Sequence, residues 1–313
     1  MLRYILNRVL GMIIVLAIVV TVVFVIVRLA PGDPAALMLG PDAMPEDVVE
    51  LRARLGLDQP IIAQFLRFFG QIATGDFGES IFFDLPVLEV IGQRAEPTIF
   101  LTLFSILIAT SIAVPIGIVS AYYRGGLFDQ GSISGAMLAA SIPSFWMGLI
   151  LQQYLATDAG WFPVSGYGGP DANFAARMGH LILPSIVLGI VNSALIIRFT
   201  RASMLDVLSD DYVRTARSKG MSERRVVLRH AFKNALIPVV TVIGLTFALL
   251  ISGAVVTERV FNLPGIGSLV VGAVLRRDYP VIQGTLLVVA GLYVVINFLI
   301  DMVYLAIDPR VRY

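Results

Sequence analysis

SDDYVRTARSKGMSERRVVLRHAFKN, residues 209–234, is the stretch on which the reading of this chain turns. It is a charged island between two long apolar runs. Both lysines of the protein, Lys219 and Lys233, lie in it, and seven arginines lie in it or just before it, from Arg198 onward. The pattern predicts two short helices back to back. Ser209 is placed to cap the first, with Asp210 and Asp211 in a first turn where the helix dipole favours acids. Arg217 and Lys219 fall in its last turn, and Gly220 can close it. Ser222 is placed to cap a second helix that runs to Asn234, with Glu223 in its first turn. Basic loops stay on the cytoplasmic side, so the island is at least a topology signal. A charged helix pair hung between spans also has the form of a docking element.

Composition sets the setting. Of 313 residues, 57% are hydrophobic and 14% charged, where soluble domains carry roughly 25% charged residues. The chain is therefore an integral membrane protein and not a one-core soluble enzyme. A net charge of +1 gives no reason to expect a nucleic-acid partner. The absence of cysteine excludes disulfides, thiolate metal sites and a cysteine nucleophile. Two histidines, His180 and His230, leave little for a metal centre.

A helix needs about 20 apolar residues to cross the hydrocarbon. Six uncharged runs qualify: Val9–Val27, Pro97–Tyr123, Gln130–Thr157, Leu181–Ile197 with an extension back through His180, Asn234–Thr257 and Tyr279–Ile300. A further run, Val260–Leu275, is short and holds Pro264, Gly265, Gly267 and Gly272; it reads as a re-entrant or surface helix. Charges test this count. With six spans the two termini share a side with the 122–131 and 198–235 loops. Those segments carry fourteen basic and seven acidic residues, a balance of +7, and the other side carries nine and fifteen, a balance of −6. Both termini and the basic island are thus expected in the cytoplasm.

The first run follows Arg3 and Arg8 but is longer than the 7–15 residues of a signal-peptide core, and it reads as an uncleaved span. Residues 29–96 form an external extension with eleven acids, opening on LAPGDP (29–34). Glu46–Leu55 and Ile61–Ile72 look like amphipathic helices, and GDFGES (75–80) like a turn. A solvated cap and a docking surface both fit this segment. Pro115 with Gly117, and Pro143 with Gly148 in SIPSFWMG (141–148), predict kinks that a packed bundle tolerates. The 158–174 loop is external, with Trp161 and Tyr167 suited to the interface. Gln152, Asn192, Ser193 and Asn297 are polar residues at membrane depth; they are candidates for lining a pathway, and equally for hydrogen bonding between helices. Asn297 and Asp301 share a face near the inner end of the last span, where a paired acid or a proton relay would fit Asp301.

Energy-transducing chemistry is missing. There is no G-K dipeptide and so no phosphate-binding P-loop, no H-E-x-x-H and no G-x-S-x-G. No catalytic residue, bound cofactor or metal site is expected. Uphill transport by such a chain would draw on a partner, and the basic island is the place to receive it.

The island, residues YVRTARSKG…HAFKNALIP, resembles the cytoplasmic loop of type I ABC importer permeases, in the dipeptide/oligopeptide/nickel branch. The general pattern of that superfamily has E-A-A followed by Gly and then I-x-L-P. Here the run is Arg214-Thr215-Ala216 with Gly220 in place, so only Ala216 and Gly220 match it. PGDP, GDFGES, SIPSFWMG, ERVFNLPGIG and DPRVRY resemble the branch as well, so the likeness spans nearly the whole chain. The resemblance implies an all-α membrane bundle of six helices, with residues 1–96 as first span plus extracytoplasmic extension and 97–313 as the permease domain. Spans of that domain would cover about 97–123, 130–157, 178–197, 234–257 and 279–304, with a coupling loop at 198–233. It implies a bacterial inner-membrane importer of dipeptides or oligopeptides. The partners would be a second homologous permease, two cytoplasmic ATPases that hold ATP and magnesium, and an extracytoplasmic solute-binding protein. Asp211, Tyr212, Val213, Arg214, Thr215, Ala216, Arg217, Lys219 and Gly220 would form the helix that couples to an ATPase, with Val213, Ala216 and Tyr212 offering apolar contact and Arg214, Arg217 and Lys219 pairing with acids at the groove rim. A nickel or other small-solute importer of the same build is the alternative within this class; a stand-alone secondary transporter or channel is the alternative outside it.

Overall fold

The computed structural model describes residues 2–29, 34–39, 44–169 and 171–307. Residues 30–33 of the LAPGDP turn, Pro170 and the terminal DPRVRY lie outside the described residues. The rest is helical: α1 (Leu2–Leu29), α2 (Pro34–Leu39), α3 (Pro45–Leu55), α4 (Ile61–Ala73), α5 (Val87–Tyr122), α6 (Leu127–Ser141), α7 (Ser144–Leu151), α8 (Phe174–Leu208), α9 (Asp211–Ser218), α10 (Glu223–Arg225), α11 (Phe232–Val260), α12 (Ile266–Arg276) and α13 (Tyr279–Ile307). Residues Gln152–Asp158 and Val226–Ala231 wind as π-helical turns. Five described helices are long and apolar enough to cross a membrane, and a sixth span results if α6 and α7 are one broken crossing. That agrees with the six runs of the sequence. The α12 helix, at 11 residues, is too short to cross, as its glycines suggested.

Several boundaries differ from expectation. The third span, expected as one run over 130–157, bends by 95° between α6 and α7. Pro143 is the cause: it forces Ile142 into extended backbone (φ −86°, ψ 122°), which ends α6. The second span begins at Val87, ten residues before Pro97, and α1 is longer than Val9–Val27 at both ends. The fourth span does not stop at Ile197; α8 continues to Leu208. Arg198 and Arg201 resemble the start of a loop, yet Thr200, Ser203 and Met204 between and beyond them are buried, so the helix keeps a face to pack. The coupling loop therefore shrinks from 198–233 to the residues between Leu208 and Glu223.

The chain divides into two compact units, Met1–Ala95 with Leu269–Phe298 and Glu96–Ser268 with Leu299–Arg312. In the first, α1 lies along α4. Phe24 meets Phe65 edge-on at 5.2 Å, the Arg28 guanidinium covers the Phe24 ring at 3.6 Å, and Arg28 also donates to Gln64. Val20 and Val23 pack with Leu287 and Phe68. The GDFGES turn is anchored by Asp278. Its carboxylate accepts from the Ser80 hydroxyl at 2.6 Å and from the Phe82 amide at 3.3 Å, and both side chains are buried.

In the second unit α8 is central; its apolar window is 61% buried, against 33% or less for the other four spanning helices. Small residues let the backbones close up, as membrane helices require. A Cβ on Gly117 would stand 2.6 Å from Thr200, and one on Gly189 would stand 2.7 Å from Ile108. Leu101, Leu181, Leu188, Leu250 and Phe261 fill the core between α5, α8 and α11. Outside the bundle core, Glu96 holds the 159–173 loop: Tyr167 donates to one carboxylate oxygen and Arg177 to the other, each at 2.9 Å. Burial, and then the bond to Glu96, push the Tyr167 phenol up, so it keeps its donor proton at neutral pH.

Glu258 had counted as one external charge, but its side chain is fully buried. The ERVFNLPGIG motif explains why. The chain turns back after α11, and the carboxylate accepts from the Thr98 hydroxyl at 2.5 Å and from the Ser268 amide at 2.8 Å. Thr98 in turn accepts from the Ile266 amide. Glu258 thus caps the N-terminus of α12, where free amides and the helix dipole favour an anion. Gly265 is obligatory here, since a Cβ would meet the Glu258 carboxyl carbon at 2.2 Å. Replacing Glu258 by alanine strands buried donors, and each one unmade costs roughly 1–3 kcal/mol. Thermal unfolding of the purified protein should show Glu258→Ala well below the parent, with Gly265→Ala similarly lowered. A parental midpoint for Glu258→Ala would remove the capping role.

Candidate functional site

The site is built on the end of α8. Asp210 takes extended backbone (φ −67°, ψ 148°) and is the N-cap of α9, in place of the expected Ser209. Ser209 closes α8 instead, its hydroxyl donating back to the Asp206 carbonyl. At the far end Gly220 sits at φ +74°, a left-handed turn that only glycine adopts without strain, as its position predicted. Ser222 begins the next helix, as its position suggested, though its side chain makes no cap bond. The expected separate second helix over Ser222–Asn234 is not separate. Residues Glu223–Val260 run as one helical stretch of 38 residues that continues into the fifth span.

The α9 helix is fixed to this stretch at three points. Val213 is fully buried and Ala216 nearly so, packed against Val226 with Leu208 and Met221 around them. Arg217 pairs with Glu223 at 2.9 Å. The Asn234 amide donates to the Tyr212 hydroxyl at 2.7 Å. The expectation that Val213 and Ala216 offer apolar contact to a partner is therefore corrected: this chain consumes that face itself. Asp211, Tyr212, Arg214, Thr215 and Lys219 stay exposed. Arg214 reaches Asp211 at only 3.6 Å with both side chains open to solvent, a contact worth little. The outer face thus carries one aromatic ring, Tyr212, together with Asp211, Arg214 and Lys219.

Further back along α8, three helices are stapled by a pair the sequence did not reveal. Arg201 on α8 grips Asp129 in the first turn of α6 with two bonds of 2.5 and 2.7 Å. Ser120 on α5 donates to the same carboxylate, and the Gly125 amide adds a fourth bond at 2.9 Å. Bidentate arginine–carboxylate contacts are among the strongest side-chain hydrogen bonds. A cavity of about 550 Å³ opens beside the staple, lined also by Gln130, Ser134 and Arg198.

The four polar candidates at membrane depth are met locally. Asn192 donates to Leu188, Ser193 to Ile190 and Asn297 to Tyr293, each a carbonyl of its own helix, and Gln152 donates to the Val164 carbonyl. Ser193 is buried, Gln152 and Asn192 are half-buried, and Asn297 is exposed. No described hydrogen bond joins Gln152, Asn192 or Ser193 to one another.

This is the build of a helical membrane protein that holds a short helix on a charged loop. Comparison with known proteins places it. Residues 113–313 match the model of the binding-protein-dependent transport system inner membrane component, and residues 1–102 match that of the N-terminal region of such components. The chain belongs to this family. It is 44% identical over 310 residues to a probable peptide ABC transporter permease protein of Sinorhizobium fredii, covering 99% of both chains. It is equally 44% identical, over 313 residues and all of both chains, to the glutathione transport system permease protein of Escherichia coli strain K12. Among solved structures it is similar in fold to the MetNI methionine ABC transporter in an inward-facing conformation, with TM-score 0.57 and 17% identity over 70% of this chain and 96% of that one. Like the components of its family, it is a transport subunit and not an enzyme.

Placing a charge at the Val213 position would bury it without a partner, at a cost of more than about 3 kcal/mol. Limited proteolysis should therefore cut Val213→Asp between residues 208 and 223 much faster than the parent. Thr215→Ala, whose exposed side chain bonds only to the Asp211 carbonyl within α9, should be cut at the parental rate.

Proposed function

We propose that this chain is the translocating subunit of an ATP-driven importer for small peptides, glutathione-like tripeptides included. The observation that carries the reading is the full-length likeness, 44% over the whole chain, to permeases named for peptide and for glutathione transport. In this reading a second homologous permease completes the pathway, two cytoplasmic ATPases bind ATP and magnesium, and an extracytoplasmic binding protein delivers the solute. Residues 29–96 face the outside and both termini the cytoplasm, an orientation supported by the charge balance between the two sides. Gln152, Asn192, Ser193 and Asn297 stay candidates for the pathway wall, each able to exchange its local bond for one to a passing peptide.

The α9 helix is the coupling helix. Its exposed Tyr212 enters a groove of the ATPase, and Arg214 and Lys219 meet acids at the rim. Val213, Ala216 and Arg217 act inward: they bind α9 to the Glu223–Val260 stretch, so that ATPase closure moves α9 and the fifth span as one body. The bundle then passes between inward- and outward-facing states, with nucleotide biasing the two.

Gly220 gives the test. A leucine there is strained at φ +74° by about 1 kcal/mol or more and shifts the end of α9, while the space around it inside this chain is open. Gly220→Leu is expected to insert normally and to leave ATP hydrolysis running while peptide uptake falls at least tenfold. Full uptake by that variant would overturn the coupling role. Orientation is read independently, because the protein has no cysteine. A cysteine at Lys219 should react with impermeant maleimide only in inverted vesicles. Labelling in intact cells would reverse the topology.

A further inference from the structure

The first unit holds a cavity of about 570 Å³ that the coupling mechanism does not use. Its volume lies within the roughly 300–1,000 Å³ range of small-molecule sites. Charges of both signs line it. Arg28 comes from α1 and Arg67 from α4, while Asp76, Glu79 and Asp84 come from the turn that follows α4. Phe68, Phe77 and Ile81 supply apolar wall between them.

Most of these groups are not used up by the fold. The Arg28 guanidinium gives two of its nitrogens to Gln64 and keeps the third. Asp76 accepts from the Gly78 amide through one oxygen only. Arg67, Glu79 and Asp84 form no side-chain hydrogen bond or ion pair among the described residues. The most telling group is Gln283 on α13. The residue lines the same cavity, and its amide nitrogen is buried without an acceptor among the described residues. A buried donor left unmade costs roughly 1–3 kcal/mol, so a native structure keeps one where a ligand or water completes it.

We propose that this cavity binds a small zwitterion, a short peptide with free ammonium and carboxylate ends. A net anion would meet three acids and a net cation two arginines. A molecule that carries both charges at opposite ends satisfies both sets and adds no net charge to the site. Arg67 and the free nitrogen of Arg28 take the carboxylate, the Gln283 amide donates to a carboxylate or peptide oxygen, and the turn acids take the ammonium. Arg28, Arg67, Asp76, Glu79, Asp84 and Gln283 then form a solute site within the first unit. The choice of ligand rests on the peptide reading above; the existence of the site does not.

The experiment is a ligand-dependent thermal shift on the purified full-length chain in lipid nanodiscs, with dialanine as probe. Dialanine should raise the melting temperature in a saturable way, and N-acetyl-dialanine and dialanine amide should need at least tenfold higher concentrations. Arg67→Ala, at an exposed position, and Gln283→Leu, which removes the orphaned amide at similar volume, should each weaken the response at least fivefold while leaving the unliganded midpoint near the parent's. No shift with dialanine, or an equal shift in both variants, overturns the site. Equal response to the acetylated and amidated probes overturns its zwitterion chemistry. Peptide uptake by the assembled importer is scored separately. Uptake without binding here sinks the site and leaves the transport reading standing, and binding without uptake does the reverse.

Discussion

The two-pronged contact between Arg201 and Asp129 lets a charged segment behave as the end of a membrane helix. An arginine at that depth would ordinarily stop α8 or drag it toward water. Paired, it does neither. The helix runs on to Leu208, and Ser120 and the Gly125 amide satisfy what Arg201 leaves open. Three helix ends are thereby fixed relative to one another, and α9 hangs from the last of them. If Arg201 alone were removed, the buried Asp129 carboxylate would lose the cation that compensates it.

The same rule governs the other polar groups. Hydrocarbon offers no water, so buried polar groups are met inside the chain wherever partners are in reach. Glu258 does this for the first amides of α12, Asp278 for the turn at 80–82, and Glu96 for the loop that carries Tyr167. In each case a carboxylate serves several donors at once. That is how a chain with only 14% charged residues secures its connections without adding charge to the lipid face.

What the sequence disclosed follows from how local each signal is. The spans were legible because an uncharged run is a local property, and Gly220 was legible because helix closure is. The break at Pro143 was half legible: proline marked a kink, but not a bend of 95°. The course of α8 beyond Ile197 was not, since Arg201 looks like loop until its partner, 72 residues away, is known. Ser80 and Asp278 are 198 residues apart, and nothing near either points to the other. The face of α9 could be read as amphipathic from Val213 and Ala216. Whether that face met a partner or this chain's own Val226 depended on packing, and packing turned it inward.

The unbroken stretch from Glu223 to Val260 has a mechanical consequence. At a rise of about 1.5 Å per residue it is a rod of roughly 57 Å. One end carries α9 through Val226 and Glu223, and the other carries Glu258, clasped to the start of α12. If α9 couples to an ATPase as proposed, a push on it would be carried along this stretch toward the Gly265–Gly267 turn. Two features of the stretch depart from a regular helix: the π-helical winding at Val226–Ala231, and Pro238, which has no amide to donate to the preceding turn. Both lie in the half of the stretch nearer α9, so it yields most readily there and is stiffest toward the clasp at Glu258.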